Sequence, residues 1–120
     1  MALDLYMLGL IASDIEKSVE FYRRLGVDFP EDIEGKTHVR VKMGGDFTFF
    51  VNARGRLPEL DDVRVIMEFY LEGRGAVDAK YKELVDYGYK SFKAPYVASI
   101  GMYFALINDP DGNTVLLSAD

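Results

Sequence analysis

DIEKSVEFYRRLG, residues 14–26, and VDAKYKELVDYG, residues 77–88, carry one pattern twice. In the first, Asp14 reads as a helix N-cap, its carboxylate accepting backbone N–H groups that no helical carbonyl reaches. Ile15, Val19, Tyr22 and Leu25 recur at helical spacing, and Gly26 supplies the stop. In the second, Val77, Tyr81, Leu84 and Val85 share a face, and Gly88 ends it. The stop follows the first apolar residue by 11 positions in both stretches. Val19 then matches Tyr81 and Tyr22 matches Leu84, at an offset of 62 in a chain of 120 residues. A repeat of half the chain length marks two copies of one module.

The flanks agree. LDLYMLGLIA precedes the first helix and DVRVIMEFYLE the second, both with strand character. GVDF, THVRVKM and FTFFVN follow the first, with Gly44-Gly45-Asp46 as a hairpin turn. GYKSF, MYFALI and NTVLLS follow the second, with Asp109–Gly112 as the turn. ARGRLPELDD, residues 53–62, reads as the linker. The expected fold is α+β: two tandem βαβββ modules, about 1–53 and 62–120, within a single domain over 1–120.

Bulk properties narrow the function classes. With 49% apolar and 28% charged residues, the chain has the composition of a folded globular protein. No apolar run approaches the roughly 20 residues that span a bilayer, so no membrane partner is expected. The N-terminus lacks a basic segment and carries Asp4, so no secretion signal is expected. There are no cysteines, which removes disulfides, thiolate metal sites and a thiol nucleophile, and makes a cytoplasmic address the default. A net charge of −6 argues against nucleic acid, whose phosphates need clustered Lys and Arg. The same charge suits either plain solubility or a cationic small molecule.

A tandem βαβββ of this length resembles the vicinal oxygen chelate superfamily, which includes glyoxalase I, extradiol dioxygenases, and the fosfomycin and bleomycin resistance proteins. The resemblance covers nearly the whole chain. It rests most on Ala12-Ser13-Asp14-Ile15 with Ser18, Phe21-Tyr22 and Leu25-Gly26, and on Asp109-Pro110-Asp111-Gly112-Asn113. It implies a half-open, cup-shaped mixed sheet with helices outside and the ligand inside the cup.

Strand side chains alternate between faces. Met7, Gly9 and Ile11 should face the cup in the first strand, and Arg64, Ile66, Glu68 and Tyr70 in the strand before the second helix. Thr114, Leu116 and Ser118 should do so in the last. Thr48, Phe50 and Asn52 are the inward set in FTFFVN, although Phe47 and Phe49 leave its phase open. By the resemblance, metal-dependent members place His or Glu at four inward positions, which fall here on Met7, Phe50 or its neighbour, Ile66 and Leu116. None of these offers the carboxylate or imidazole donors that Mg, Mn, Fe or Zn require. A one-residue slip reaches only Leu8, Phe49, Val65 and Val115. The expectation is no metal and no cofactor at the family's site.

Other residues remain as candidates. His38, the single histidine, lacks an apparent Ser or Cys partner, and the bland reading of a surface or structural His is preferred. Ser13 and Asp14 read as capping. Glu68 in an apolar cup is either a ligand anchor or general base, or is paired with Arg64 or Arg40 or exposed at the rim. Asn52, Tyr70 and Tyr103 add oriented hydrogen bonds. KAPYVASIG, residues 93–101, is a candidate lid. With eight Phe and eight Tyr, the lining suits a flat or conjugated molecule.

The ligand-binding set is therefore Met7, Gly9, Phe50, Asn52 and Ile66, with Glu68, Tyr70, Tyr103 and Leu116; no catalytic residue is assigned. The primary reading is a metal-free binder of a small organic ligand, resembling drug-sequestering resistance proteins and, like them, a homodimer. The alternatives are a metal-free lyase or isomerase using Glu68 or a Tyr, and a regulatory or structural member whose cup is filled by its own side chains.

Overall fold

The computed structural model of the chain describes residues 5–120. Asp4 and the opening of the first strand pattern lie outside the described residues. The order is β1 (Met7–Ala12), α1 (Ile15–Leu25), β2 (His38–Lys42), β3 (Thr48–Ala53), a 3-10 turn (Pro58–Leu60), β4 (Ile66–Tyr70), α2 (Arg74–Asp86), β5 (Ser91–Val97), β6 (Tyr103–Asn108) and β7 (Thr114–Ala119). Two compact units result, Met1–Arg64 and Val65–Asp120. Each is α+β, with one helix on one face of an open mixed sheet.

The repeat read from the helices is visible in their ends. The Val27 N–H reaches the Tyr22 carbonyl at 2.8 Å, and the Tyr89 N–H reaches that of Leu84 at 3.2 Å. Both bonds wrap around a glycine at positive φ, Gly26 at 126° and Gly88 at 100°, a conformation that a Cβ would disfavour. The helix starts differ. Asp14 accepts from the Lys17 N–H at 3.2 Å, whereas α2 begins at Arg74 behind Gly73, which has no side chain to cap with.

In unit one the strand order is β1-β3-β2, with β1 parallel and β2 antiparallel to β3. Leu10, Ala12, Val39, Phe49 and Val51 are buried. Phe49 meets Tyr22 of α1 edge-on, with ring centroids 5.2 Å apart. Burial of each such side chain contributes about 1.5–3 kcal/mol. GVDF, expected as a strand, is not one. Val27 and Phe29 are buried, with the Phe29 ring 5.4 Å from Phe49, but the segment bends into Pro30, which has no N–H to pair. Unit one is thus βαββ. The linker is an ordered loop, in which Arg54 Nη1 donates to the Asp61 carbonyl at 3.0 Å and the Gly55 N–H to Asp61 Oδ1 at 2.9 Å.

In unit two the order is β4-β7-β6-β5, with β4 and β7 parallel. Met67, Ala105, Ile107, Val115 and Leu117 form the core with Val77 and Leu84 of α2. The strand expected at GYKSF starts later, at Ser91, and runs to Val97. It therefore consumes most of the proposed lid. The remainder is a tight turn, with the Ala98 N–H bonded to the Met102 carbonyl at 2.7 Å and Gly101 at φ 88°. Pro95 fits within β5 because β5 is an edge strand whose register shifts around it, where a missing donor costs little.

The Asp109–Gly112 turn does more than reverse the chain. Asp109 is 4% exposed, and its Oδ1 accepts from the N–H groups of Asp111 and Asn113 at 2.9 and 2.8 Å. Its Oδ2 accepts from Asn113 Nδ2 at 2.9 Å, and Asn113 Oδ1 in turn accepts from the Val65 N–H at 2.9 Å. The turn thereby clamps the start of β4 beside β7. Asp109→Ala strands buried donors and should cost about 2–4 kcal/mol, read as a lower urea midpoint.

Candidate functional site

The face of the unit-one sheet turned away from α1 follows from register. Gly9 lies beside Phe50 and Ile11 beside Asn52; across β3, Arg40 lies opposite Phe50 and His38 opposite Asn52. Phe49 packs on Tyr22, so the phase left open in the sequence resolves with Phe50 on the opposite face. Phe50 lies flat over Gly9: a Cβ built on Gly9 would stand 1.9 Å from Phe50 Cζ. Only glycine lets the ring come that close to the backbone. His38 stands beside the same ring, with centroids 5.3 Å apart and planes tilted by 34°, and its Nδ1 is 2.6 Å from Asn52 Oδ1. Met7, Gly9, Phe50 and Asn52 thus do share a face.

His38 lies on the same face, and its bond to Asn52 makes it the satisfied structural histidine that was expected. The signal was present in the turn. Met43 and Phe47 close the Gly44-Gly45-Asp46 hairpin by a 2.7 Å bond, and counting outward from that pair brings His38 opposite Asn52.

On the corresponding face of unit two, Ile66 lies beside Thr114, Glu68 beside Leu116 and Tyr70 beside Ser118. Ile66 and Tyr70 are 75% and 61% exposed. Glu68 is exposed too, as one of its alternatives had it, and its Oε2 accepts from the Ser118 hydroxyl at 2.8 Å. The Tyr70 hydroxyl donates to Asp120 at 2.6 Å, and that hydrogen bond is the main cause raising its pKa above the ordinary phenol value.

Tyr103 is a correction. It pairs with Ala119 and alternates with buried Ala105 and Ile107, so it stands on the α2 side of the sheet. There its hydroxyl donates to Asp78 at 2.5 Å, and the Arg74 guanidinium lies 5.1 Å from its ring centroid. The Asp78 bond likewise raises the Tyr103 pKa. Both phenols are held in their neutral form and already donate to carboxylates, which suits neither for acid–base work near neutrality.

The four metal-ligand positions suggested by the resemblance fall in equivalent places. Met7 is two residues before Gly9, the neighbour of Phe50, and Ile66 is two before Glu68, the neighbour of Leu116. Neither pair carries a hard donor, and among the described residues no group of three or more His, Asp or Glu side chains is placed to hold a metal ion. The residues present do not fit the superfamily's cation.

The model of the glyoxalase/bleomycin resistance protein/dioxygenase superfamily matches residues 4–117. The chain belongs to that superfamily. Similar solved structures include a glyoxalase/bleomycin resistance protein/dioxygenase family enzyme from Burkholderia phytofirmans PsJN, 21% identical, with 98% of each chain covered and a TM-score of 0.81. A glyoxalase-related enzyme from Fulvimarina pelagi is 17% identical over 99% of this chain and 89% of that one, at a TM-score of 0.82. Lactoylglutathione lyase from Agrobacterium tumefaciens is 20% identical over 97% and 92%, at 0.72. At these identities the likeness shows the fold alone. No curated protein matches the chain.

The close approach of Phe50 to Gly9 can be measured. Gly9→Ala should displace the ring and cost about 1–3 kcal/mol. In a Phe50→Ala background the same change should be close to neutral, and a double-mutant cycle of denaturation midpoints would read that coupling.

Proposed function

We propose that this superfamily member is a metal-independent binder that holds a flat aromatic organic molecule, such as an antibiotic, on the open face of unit one. The observation that carries the reading is Phe50 laid over Gly9 with His38 beside it. Where the superfamily resemblance leads one to expect metal donors, this face offers an aromatic platform. Ring stacking and apolar burial can hold a planar ligand without a Lewis acid. Exposed Ile66 and Ile100 in unit two, each 75% exposed, support a homodimer as part of the proposal. No helix among the described residues is long and apolar enough to cross a membrane, and a cytoplasmic setting is proposed with the rest.

Titration with aromatic drugs, followed by tyrosine fluorescence, tests the reading. Phe50→Ala should weaken binding about tenfold, equivalent to about 1.4 kcal/mol, and chelators should leave the wild-type affinity unchanged. Binding that requires an added divalent cation would overturn it. Light scattering of the purified chain should return twice the monomer mass.

One observation favours a second reading, a lyase or isomerase: the exposed Glu68 carboxylate is oriented by Ser118. Turnover of an identified substrate that Glu68→Gln abolishes would replace binding by catalysis.

A further inference from the structure

We propose that the ligand is an anion, a hydroxylated aromatic acid, with its acid group at Arg40, its ring on Phe50 and its hydroxyl donating to His38 Nε2. This rests on Phe50 being the platform. The chemistry comes from β2, whose outward row is His38, Arg40 and Lys42, alternating with buried Val39 and half-buried Val41. The residues that β1 and β3 place on the same face are Met7, Gly9, Ile11, Thr48, Phe50 and Asn52, all uncharged. In a chain of net charge −6, this face is locally positive. Lys42 lies 3.9 Å from Asp46, an acid of the hairpin turn. Arg40 is exposed and has no hydrogen-bond or ion-pair partner among the described residues. It sits directly across from Phe50 in the β2–β3 register. A guanidinium presents a planar fork of donors that matches a carboxylate in two parallel bonds, and beside an aromatic platform it selects a flat acid.

His38 provides the second anchor. Asn52 Oδ1 can only accept, so the 2.6 Å contact places the proton of the neutral imidazole on Nδ1 and leaves the Nε2 lone pair free to accept. Asn52 is 6% exposed, and Phe50 flanks the imidazole, so both partners hold the ring in place. His38 and Arg40 are alternate residues of one strand, about 6.6 Å apart along it. An aromatic acid with its hydroxyl remote from the acid group spans that separation. A cationic ligand would meet like charge at Arg40 and no compensating carboxylate on the face.

Isothermal titration of the intact chain with a hydroxynaphthoate, the matching hydroxynaphthamide, unsubstituted naphthoate and naphthylmethylammonium tests the assignment. The hydroxynaphthoate should bind about tenfold tighter than its amide. Arg40→Gln should erase that difference. His38→Phe keeps a ring beside Phe50 and should erase only the preference for the hydroxyl. If the amide or the ammonium binds wild type as tightly as the acid, while Phe50→Ala still weakens all of them, the anion assignment falls and the platform stands. If none binds, or Phe50→Ala changes nothing, the platform falls and this assignment with it.

Discussion

One buried carboxylate sets the layout of unit two. Asp109 spends both oxygens on its own turn, and the turn's Asn113 then takes the first N–H before β4. A slip of one residue between β4 and β7 would turn every side chain of β4 over, exposing Met67 and burying Glu68. The clamp excludes that slip, because Asn113 can accept from Val65 only in the native register. Which side chains reach solvent on this sheet is therefore decided by a carboxylate that touches none of them.

Unit one reaches the same parallel pairing by other means. Its hairpin turn is Gly44-Gly45-Asp46, with Gly45 at φ 70°, and the bond that closes it is backbone to backbone. Register between β1 and β3 is reinforced by shape. Phe50 needs a neighbour without a Cβ, and β1 has one glycine, Gly9. A shifted pairing would set the ring against Leu8 or Leu10. The contact that builds the aromatic platform is also a restraint on the strand order that presents it.

Much of this was legible in the sequence wherever a local rule and the tertiary structure demand the same thing. Asp14 caps, Gly26 and Gly88 stop, and the alternation over 66–70 places Met67 on the helix side because no other arrangement buries it. The misreadings have distinct causes. GVDF alternates like a strand, but Val27 and Phe29 are buried by packing on unit one without a ladder partner. The stretch 93–101, expected as a lid, is mostly β5, an edge strand that tolerates Pro95. Tyr103 was grouped with the ligand-binding residues, but Asn108 pairs with Thr114, and five steps back place Tyr103 with Ala119 on the helix side. His38 is the structural histidine expected, and the same count from the turn finds its partner, the amide directly across the hairpin.

The two copies differ at equivalent positions. Gly9 stands to Phe50 as Glu68 stands to Leu116, since each is the parallel neighbour in its own sheet. One copy has emptied that position so that a ring can lie down. The other has filled it with a carboxylate oriented by Ser118. Without hard donors at Met7, Phe50, Ile66 and Leu116, no coordination geometry constrains the two faces to match. The polar groups that stand next to the platform lie on β2, a strand to which the resemblance assigns no metal ligand. On the proposed function, recognition on unit one would use this β2 row beside the platform in place of the positions where the resemblance expects metal ligands.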